Sequence, residues 1–158
     1  MRTGDIGEID QAGFVSITGR KKELIVTAGG KNVAPNVLED RVRANWLVSQ
    51  CIVVGDKRPY IACLLTLDPE MFAEWKAKHG KAVTDEPADL RTDPDLLRDL
   101  QTGVDYANEA VSKAESIRRF AILDVDLSES RGELTPTLKI KRNFLVQAFH
   151  AEIDALYA

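Results

Sequence analysis

The sequence predicts an α+β domain: a small mixed or antiparallel sheet with flanking helices, preceded by a short β-hairpin. Three observations carry that prediction. Two compact strand–turn–strand patterns open the chain, and two apolar runs flank a polar turn near residue 57. Stretches with helical apolar spacing follow, each opened by a capping residue.

Ile6 to Ile9 and Phe14 to Thr18 are strand-like and surround Asp10-Gln11-Ala12-Gly13, the first hairpin. Leu24-Ile25-Val26, then Ala28-Gly29-Gly30, then Lys31-Asn32-Val33 form the second, with a Gly pair able to take positive φ at the tip. The charged segment Gly19 to Glu23 reads as a connector between them. Pro35 opens a helix in which Leu38, Val42 and Trp46 repeat at helical spacing. Cys51 to Val54 and Ile61 to Leu67 read as paired strands around Gly55-Asp56-Lys57-Arg58-Pro59. Asp68-Pro69 and Asp93-Pro94 each combine a capping side chain with Pro at the first helical position.

Phe72, Trp75 and His79 share a face of the first of these two helices, and Gly80 closes it. The polar stretch from Lys81 to Thr92 reads as a loose surface segment. In the second helix Leu97, Leu100, Val104, Ala107 and Val111 form an apolar stripe despite Gly103. Phe120 to Val125 is predicted as a further strand, and a single helix over 142–157 presents Leu145, Phe149, Ile153 and Leu156 on one face.

The composition narrows the function classes. The 158 residues are 44% hydrophobic and 29% charged, room for one domain with a real core. No apolar run reaches the roughly 20 residues of a membrane span, and the first residues lack the apolar stretch of a signal peptide. A net charge of −4 argues against a nucleic-acid partner. Cys51 and Cys63 fall in apolar runs without clustered His, so they read as core residues rather than as a disulfide framework or metal ligands. The default compartment is the cytoplasm.

Three places depart from a plain fold pattern. Thr3-Gly4-Asp5 puts a carboxylate on a tight turn, which either simply makes the turn or accepts hydrogen bonds from a ligand's hydroxyls. Gly29-Gly30 with Lys31 is either an ordinary hairpin tip or a place where backbone approaches a ligand closely. Neither matches a phosphate-gripping P-loop. The stretch from Gly132 to Arg142 is a Gly- and Pro-punctuated loop that ends in Lys139, Lys141 and Arg142, just before the last helix. Cations there oppose the helix dipole by some tenths of a kcal/mol, so the cluster is either solvated or has an anionic partner, a phosphate or a carboxylate.

In order, these segments resemble the adenylate-forming superfamily of acyl-CoA synthetases, luciferases and peptide-synthetase adenylation domains. Arg2-Thr3-Gly4-Asp5-Ile6-Gly7 is similar to its TGD motif. Gly19-Arg20-Lys21-Lys22-Glu23-Leu24-Ile25, with Gly29 to Pro35 and Leu38-Glu39, is similar to its hinge and glycine-loop motif. Thr135 to Arg142 is similar to its C-terminal lysine motif. That last stretch lacks the glycine usually found before the lysine, a variant similar to the long-chain fatty acyl-CoA synthetases. The helical insertion between about Pro69 and Ile117 points to the same branch.

The resemblance implies roles residue by residue. Asp5 would bind the ribose of ATP, Arg20 the ribose or phosphates, and Lys22 would be the hinge. Lys139 would be the adenylation lysine, and Gly29, Gly30 and Lys31 a CoA-facing loop, while Lys141 and Arg142 would assist with anions. ATP, CoA and Mg2+ would be held mainly by a large N-terminal domain, the partner of this one, with a fatty acid as substrate. Residues 1–20 would be the tail of that large domain, 21–23 the hinge and 24–158 the small C-terminal domain. Such a fragment would fold but not adenylate alone, and the whole enzyme is compatible with peripheral association at a membrane surface. Two alternatives remain: a fatty acyl-AMP ligase domain that transfers to a carrier protein, and a non-catalytic α+β interaction module whose basic loop docks an acidic partner.

Overall fold

A computed structural model describes residues 5–9 and 15–20 as backbone, and residues 24–124, 126–137 and 139–158 in full. Both predicted hairpins form. Strands β1 (Asp5–Ile9) and β2 (Val15–Arg20) pair antiparallel, which sets Asp5 opposite Arg20. Strands β3 (Ile25–Val26) and β4 (Asn32–Val33) form the second, shorter ribbon. Gly30 sits at φ +83°, a conformation that costs glycine nothing and other residues of order 1 kcal/mol.

The central sheet has three strands in the order β5 (Val48–Val54), β6 (Ile61–Leu67), β7 (Ile117–Ile122). β5 and β6 pair antiparallel, and β6 and β7 pair parallel, so the sheet is mixed. A parallel neighbour needs a long crossover, and residues 68–116 supply it with α2 (Pro69–Lys78) and α3 (Pro94–Asn108). β7 begins at Ile117, earlier than the Phe120 expected from hydropathy, because Arg118 and Arg119 are tolerated on an edge strand.

Both faces of the sheet are covered, which is why β6 is buried throughout and apolar at every position but Thr66. On one face Cys51, Val53, Ile61, Cys63 and Leu65 pack against α1 (Pro35–Val42), α2 and α3. On the other, Ile52, Val54, Ala62 and Leu64 meet Leu134, Leu145, Ile153 and Leu156, from the segment after β7 and its helices. The result is a three-layer sandwich in which the pleat assigns alternate residues to alternate layers. Among its deepest side chains are Trp75, Leu38 and Leu145, all fully buried.

The caps behave as predicted. Asp68 accepts from the N–H groups of Glu70 and Met71, and Asp93 from those of Asp95 and Leu96. Phe72, Trp75 and His79 line one face of α2, with the Trp75 and His79 rings stacked at 4.3 Å. Gly103 keeps the α3 stripe intact because α1's C-terminal turn crosses there. A Cβ at that position would stand 2.9 Å from Asn45 Cβ.

Three expectations need correction. Trp46 lies beyond α1, which ends at Val42, and is 45% exposed. The single final helix is two, α4 (Arg142–Ala148) and α5 (His150–Ala155), broken at Phe149, where the backbone leaves helical geometry. Residues 81–92 are not loose: the Lys76 ammonium reaches the carbonyls of Val83 at 2.9 Å and Asp85 at 2.8 Å, and Lys81 pairs with Asp93 at 2.7 Å. A buried lysine head must find acceptors, and this segment's backbone supplies them.

Candidate functional site

The segment after β7 carries Lys139 on a small hairpin. Leu134 and Ile140 form an isolated antiparallel bridge, the Thr135 N–H donates to the Lys139 carbonyl at 2.8 Å, and Lys141 N–H donates to Glu133 O at 3.0 Å. The Thr135 hydroxyl accepts from the Lys139 N–H at 3.0 Å and meets the Thr137 hydroxyl at 3.0 Å. Period-two alternation then decides the side chains. Leu134 and Ile140 turn toward the second-face core, whereas Lys139 and Lys141 are exposed. The base of the hairpin is stiffened by Glu133. Its buried carboxylate accepts from Ser128 N at 2.8 Å and from both Arg131 Nε at 3.1 Å and Nη2 at 3.0 Å.

The third cation of the motif behaves differently. Arg142, at the first turn of α4, points inward, with Nη1 2.7 Å from Glu39 Oε1 and 2.9 Å from the Val53 carbonyl. The same Glu39 oxygen accepts the Val53 N–H at 3.0 Å. Arg142 thus has a carboxylate partner within the domain, one of the anionic partners expected for the cluster, and the pairing offsets its conflict with the helix dipole. Sequence reasoning singled out Arg142 but gave Glu39 no role. The only clue was that a cation at that position required an anionic partner.

The glycine hairpin lies against the turn between β5 and β6. Ala28 N–H donates to Arg58 O at 2.8 Å, Lys57 N–H to Val26 O at 2.8 Å, and Val26 N–H to Asp56 Oδ1 at 3.3 Å. A Cβ on Gly29 would meet nothing closer than Thr27 Oγ1 at 4.0 Å, so the domain itself does not require glycine there. Lys31 is held by Glu115, Nζ to Oε1 3.2 Å. Of the predicted ATP contacts, Asp5 and Arg20 are brought opposite each other by strand register. Lys22, the predicted hinge, lies outside the described residues, as do Thr3 and Gly4 of the first motif.

Between the β5–β6 turn and the last helices is a cleft of about 190 Å³, lined by Ile25, Val54, Gly55, Arg58, Arg142 and Ile153 among others. Cys51 and Cys63 are buried and unbonded, and burial pushes the Cys51 thiol up, with Cys63 beside it adding to the effect. Among the described residues no group of three His, Cys, Asp or Glu converges to hold a metal, and no helix is long and apolar enough to cross a membrane.

The domain is thus a mixed sheet between two helical layers that presents an exposed lysine on an anchored hairpin and a glycine hairpin beside the β5–β6 turn. The family described as AMP-binding enzyme C-terminal domain matches residues 22–158, and the chain belongs to it. It is 55% identical over 157 residues to the long-chain-fatty-acid–CoA ligase FadD15 of Mycobacterium tuberculosis, covering 99% of this chain and 26% of that protein. It is 33% identical to human long-chain-fatty-acid–CoA ligase ACSBG2, over 99% of this chain and 26% of that one. The chain thus spans about a quarter of the length of the curated relatives it matches.

Solved structures share the fold. The adenylation domain of a Mycobacterium chelonae carboxylate reductase superposes with a TM-score of 0.75 at 23% identity, over 98% of this chain and 22% of that one. A Mycobacterium tuberculosis fatty acyl CoA synthetase gives 0.55 at 23% identity, over 96% and 24%.

Proposed function

We propose that this chain acts as the mobile C-terminal domain of an ATP-dependent long-chain fatty-acid–CoA ligase, supplying Lys139 to the first half-reaction and the Gly29 hairpin to the second. The observation that carries the reading is the pairing of a rigid hairpin backbone with an exposed ammonium at Lys139. When a fatty carboxylate attacks the α-phosphorus of ATP, negative charge grows on the phosphoryl and bridging oxygens. An ammonium held there favours the transition state over the ground state.

The other residues divide the remaining work. Asp5 accepts hydrogen bonds from the ribose hydroxyls, Arg20 contacts ribose or phosphate, and Lys22 is the point about which the small domain turns. In the second pose Gly29, Gly30 and Lys31 face the pantetheine arm of CoA, where glycine admits the thiol arm close to backbone. Residues 1–20 belong with the large domain, 21–23 form the hinge and 24–158 the small domain. ATP, the fatty acid, CoA and Mg2+ are held mainly by the large domain, and the intact enzyme works in the cytoplasm or at a membrane surface. The 55% identity to a long-chain-fatty-acid–CoA ligase supports CoA over a carrier protein as acceptor.

The test is palmitate-dependent ATP–pyrophosphate exchange in the enzyme carrying both domains. Lys139→Ala is expected to lower exchange by about a hundredfold or more, equivalent to about 2.7 kcal/mol. A variant that matches wild type would remove Lys139 from the chemistry. CoA-dependent release of AMP separates the CoA ligase from a carrier-directed acyl-AMP ligase.

A further inference from the structure

Lys139 stabilises charge only if its loop is held in register with the rest of the domain, and one contact does this from outside the loop. Resting on the reading above, we propose that Glu39 and Arg142 form a positioning clasp for Lys139, needed for adenylation and dispensable for transfer to CoA.

The clasp joins two layers around the edge of the sheet. Glu39 comes from α1 on one face, Arg142 from α4 on the other, and they meet at Val53 of the outer strand β5. The bonds close a ring. Val53 N–H donates to Glu39 Oε1 at 3.0 Å, Arg142 Nη1 donates to that same oxygen at 2.7 Å, and Nη1 also donates to the Val53 carbonyl at 2.9 Å. An edge-strand residue with both polar groups turned outward needs an acceptor and a donor, and the pair supplies one of each. The two side chains are 8% and 19% exposed, so desolvation is substantial and the ring must stay complete to offset it.

From Arg142 the constraint runs back to Lys139 through two residues. Lys141 N–H is fixed to Glu133 O, and Ile140 is bridged to Leu134. A shift of α4's first turn is therefore passed to the ammonium, and a misplacement of about 1 Å at a catalytic group can cost about a hundredfold in rate. The glycine hairpin is held by separate bonds, its backbone to that of Lys57 and Arg58, in which neither Glu39 nor Arg142 takes part. The two half-reactions thus differ in their need for the clasp.

The experiment uses the two-domain enzyme and two assays, palmitate-dependent pyrophosphate exchange and thioester formation from supplied palmitoyl-adenylate and CoA. Arg142→Gln is expected to lower exchange about tenfold or more while the CoA step stays within about twofold of wild type. Arg142→Lys, which keeps the charge but ends short of the position of Nη1, the nitrogen that reaches both Glu39 Oε1 and the Val53 carbonyl, is expected to lower exchange about threefold with the CoA step unchanged. A swapped enzyme, Glu39→Arg with Arg142→Glu, is expected to stay impaired in exchange. It restores the charges but puts a donor against the Val53 N–H and an acceptor against its carbonyl. The proposal is overturned if Arg142→Lys exchanges like wild type, if both steps fall together in either single variant, or if the swap recovers exchange. Wild type that forms thioester from the adenylate yet shows no exchange with any long-chain acid would overturn the functional reading, and this inference with it.

Discussion

At the scale of single residues, glycine and tyrosine make separable predictions. Gly29 has open space around its absent Cβ and does not share the positive φ of Gly30. Gly29→Ala should leave the unfolding free energy within about 0.5 kcal/mol of wild type, because nothing in the domain collides with the new methyl. The CoA step should nevertheless slow while pyrophosphate exchange persists. A variant that slows neither step would show that nothing approaches the hairpin tip.

Tyr157 reports on the C-terminus. Its hydroxyl donates to Tyr60 O at 3.0 Å, and burial, against a smaller opposing effect of Arg58, pushes its pKa up to about 12. Folding thus favours the neutral phenol, so the stability it contributes is complete below pH 10 and is lost as pH rises toward 12. The group is only half-buried, so the loss should be about 1 kcal/mol once solvent screening is allowed for. Urea unfolding at pH 9 and pH 11.5 should show wild type losing that much more than Tyr157→Phe. Parallel curves would mean the ring is solvated in the folded state.

Among elements, the helix starts were the most legible feature of the sequence. Asp68 and Asp93 stand before Pro69 and Pro94, and both carboxylates cap the helices they introduce. Asp68→Ala should cost about 1 kcal/mol in chemical denaturation, since two orphan N–H groups at the start of α2 lose their acceptor. A change under about 0.3 kcal/mol would mean water replaces the cap without penalty. Helix ends were harder to read than helix starts. Leu38, Val42 and Trp46 keep a helical period, yet the chain leaves the helix after Val42, where Asn45 must meet α3. There the Asn45 side chain donates to Asp99 O at 2.8 Å and to Thr102 Oγ1 at 3.2 Å. The break at Phe149 was equally silent, because the apolar spacing of Leu145, Phe149 and Ile153 continues through it.

At the scale of the whole molecule, the small domain is a three-layer body, while Lys139 and the Gly29 hairpin, the groups proposed for the two half-reactions, lie on its surface. The 158-residue polypeptide should therefore unfold cooperatively in urea yet form no acyl-CoA from palmitate, ATP and CoA. Measurable product from the polypeptide alone would contradict the division of labour proposed here. Adding back the large domain in the same chain should restore both half-reactions.

The sequence by itself determined the fold class, the hairpins, the strand pair and the capped helix starts, because each rests on short-range rules of period, turn chemistry and capping, and it carried the three motifs as a family resemblance. Of the candidate site residues, Asp5, Gly29, Gly30, Lys31 and Lys139 stood out at that range, whereas Arg20 came only from the family resemblance. Only tertiary structure decided which strands are neighbours, that β7 runs parallel to β6, and that both sheet faces are covered. It alone turned Arg142 inward. Three cations within four residues look alike in sequence, but pairing with a carboxylate from a helix far away in the chain separates the anchored Arg142 from the exposed Lys139. That separation depends on packing two layers around one strand edge, and no local pattern encodes it.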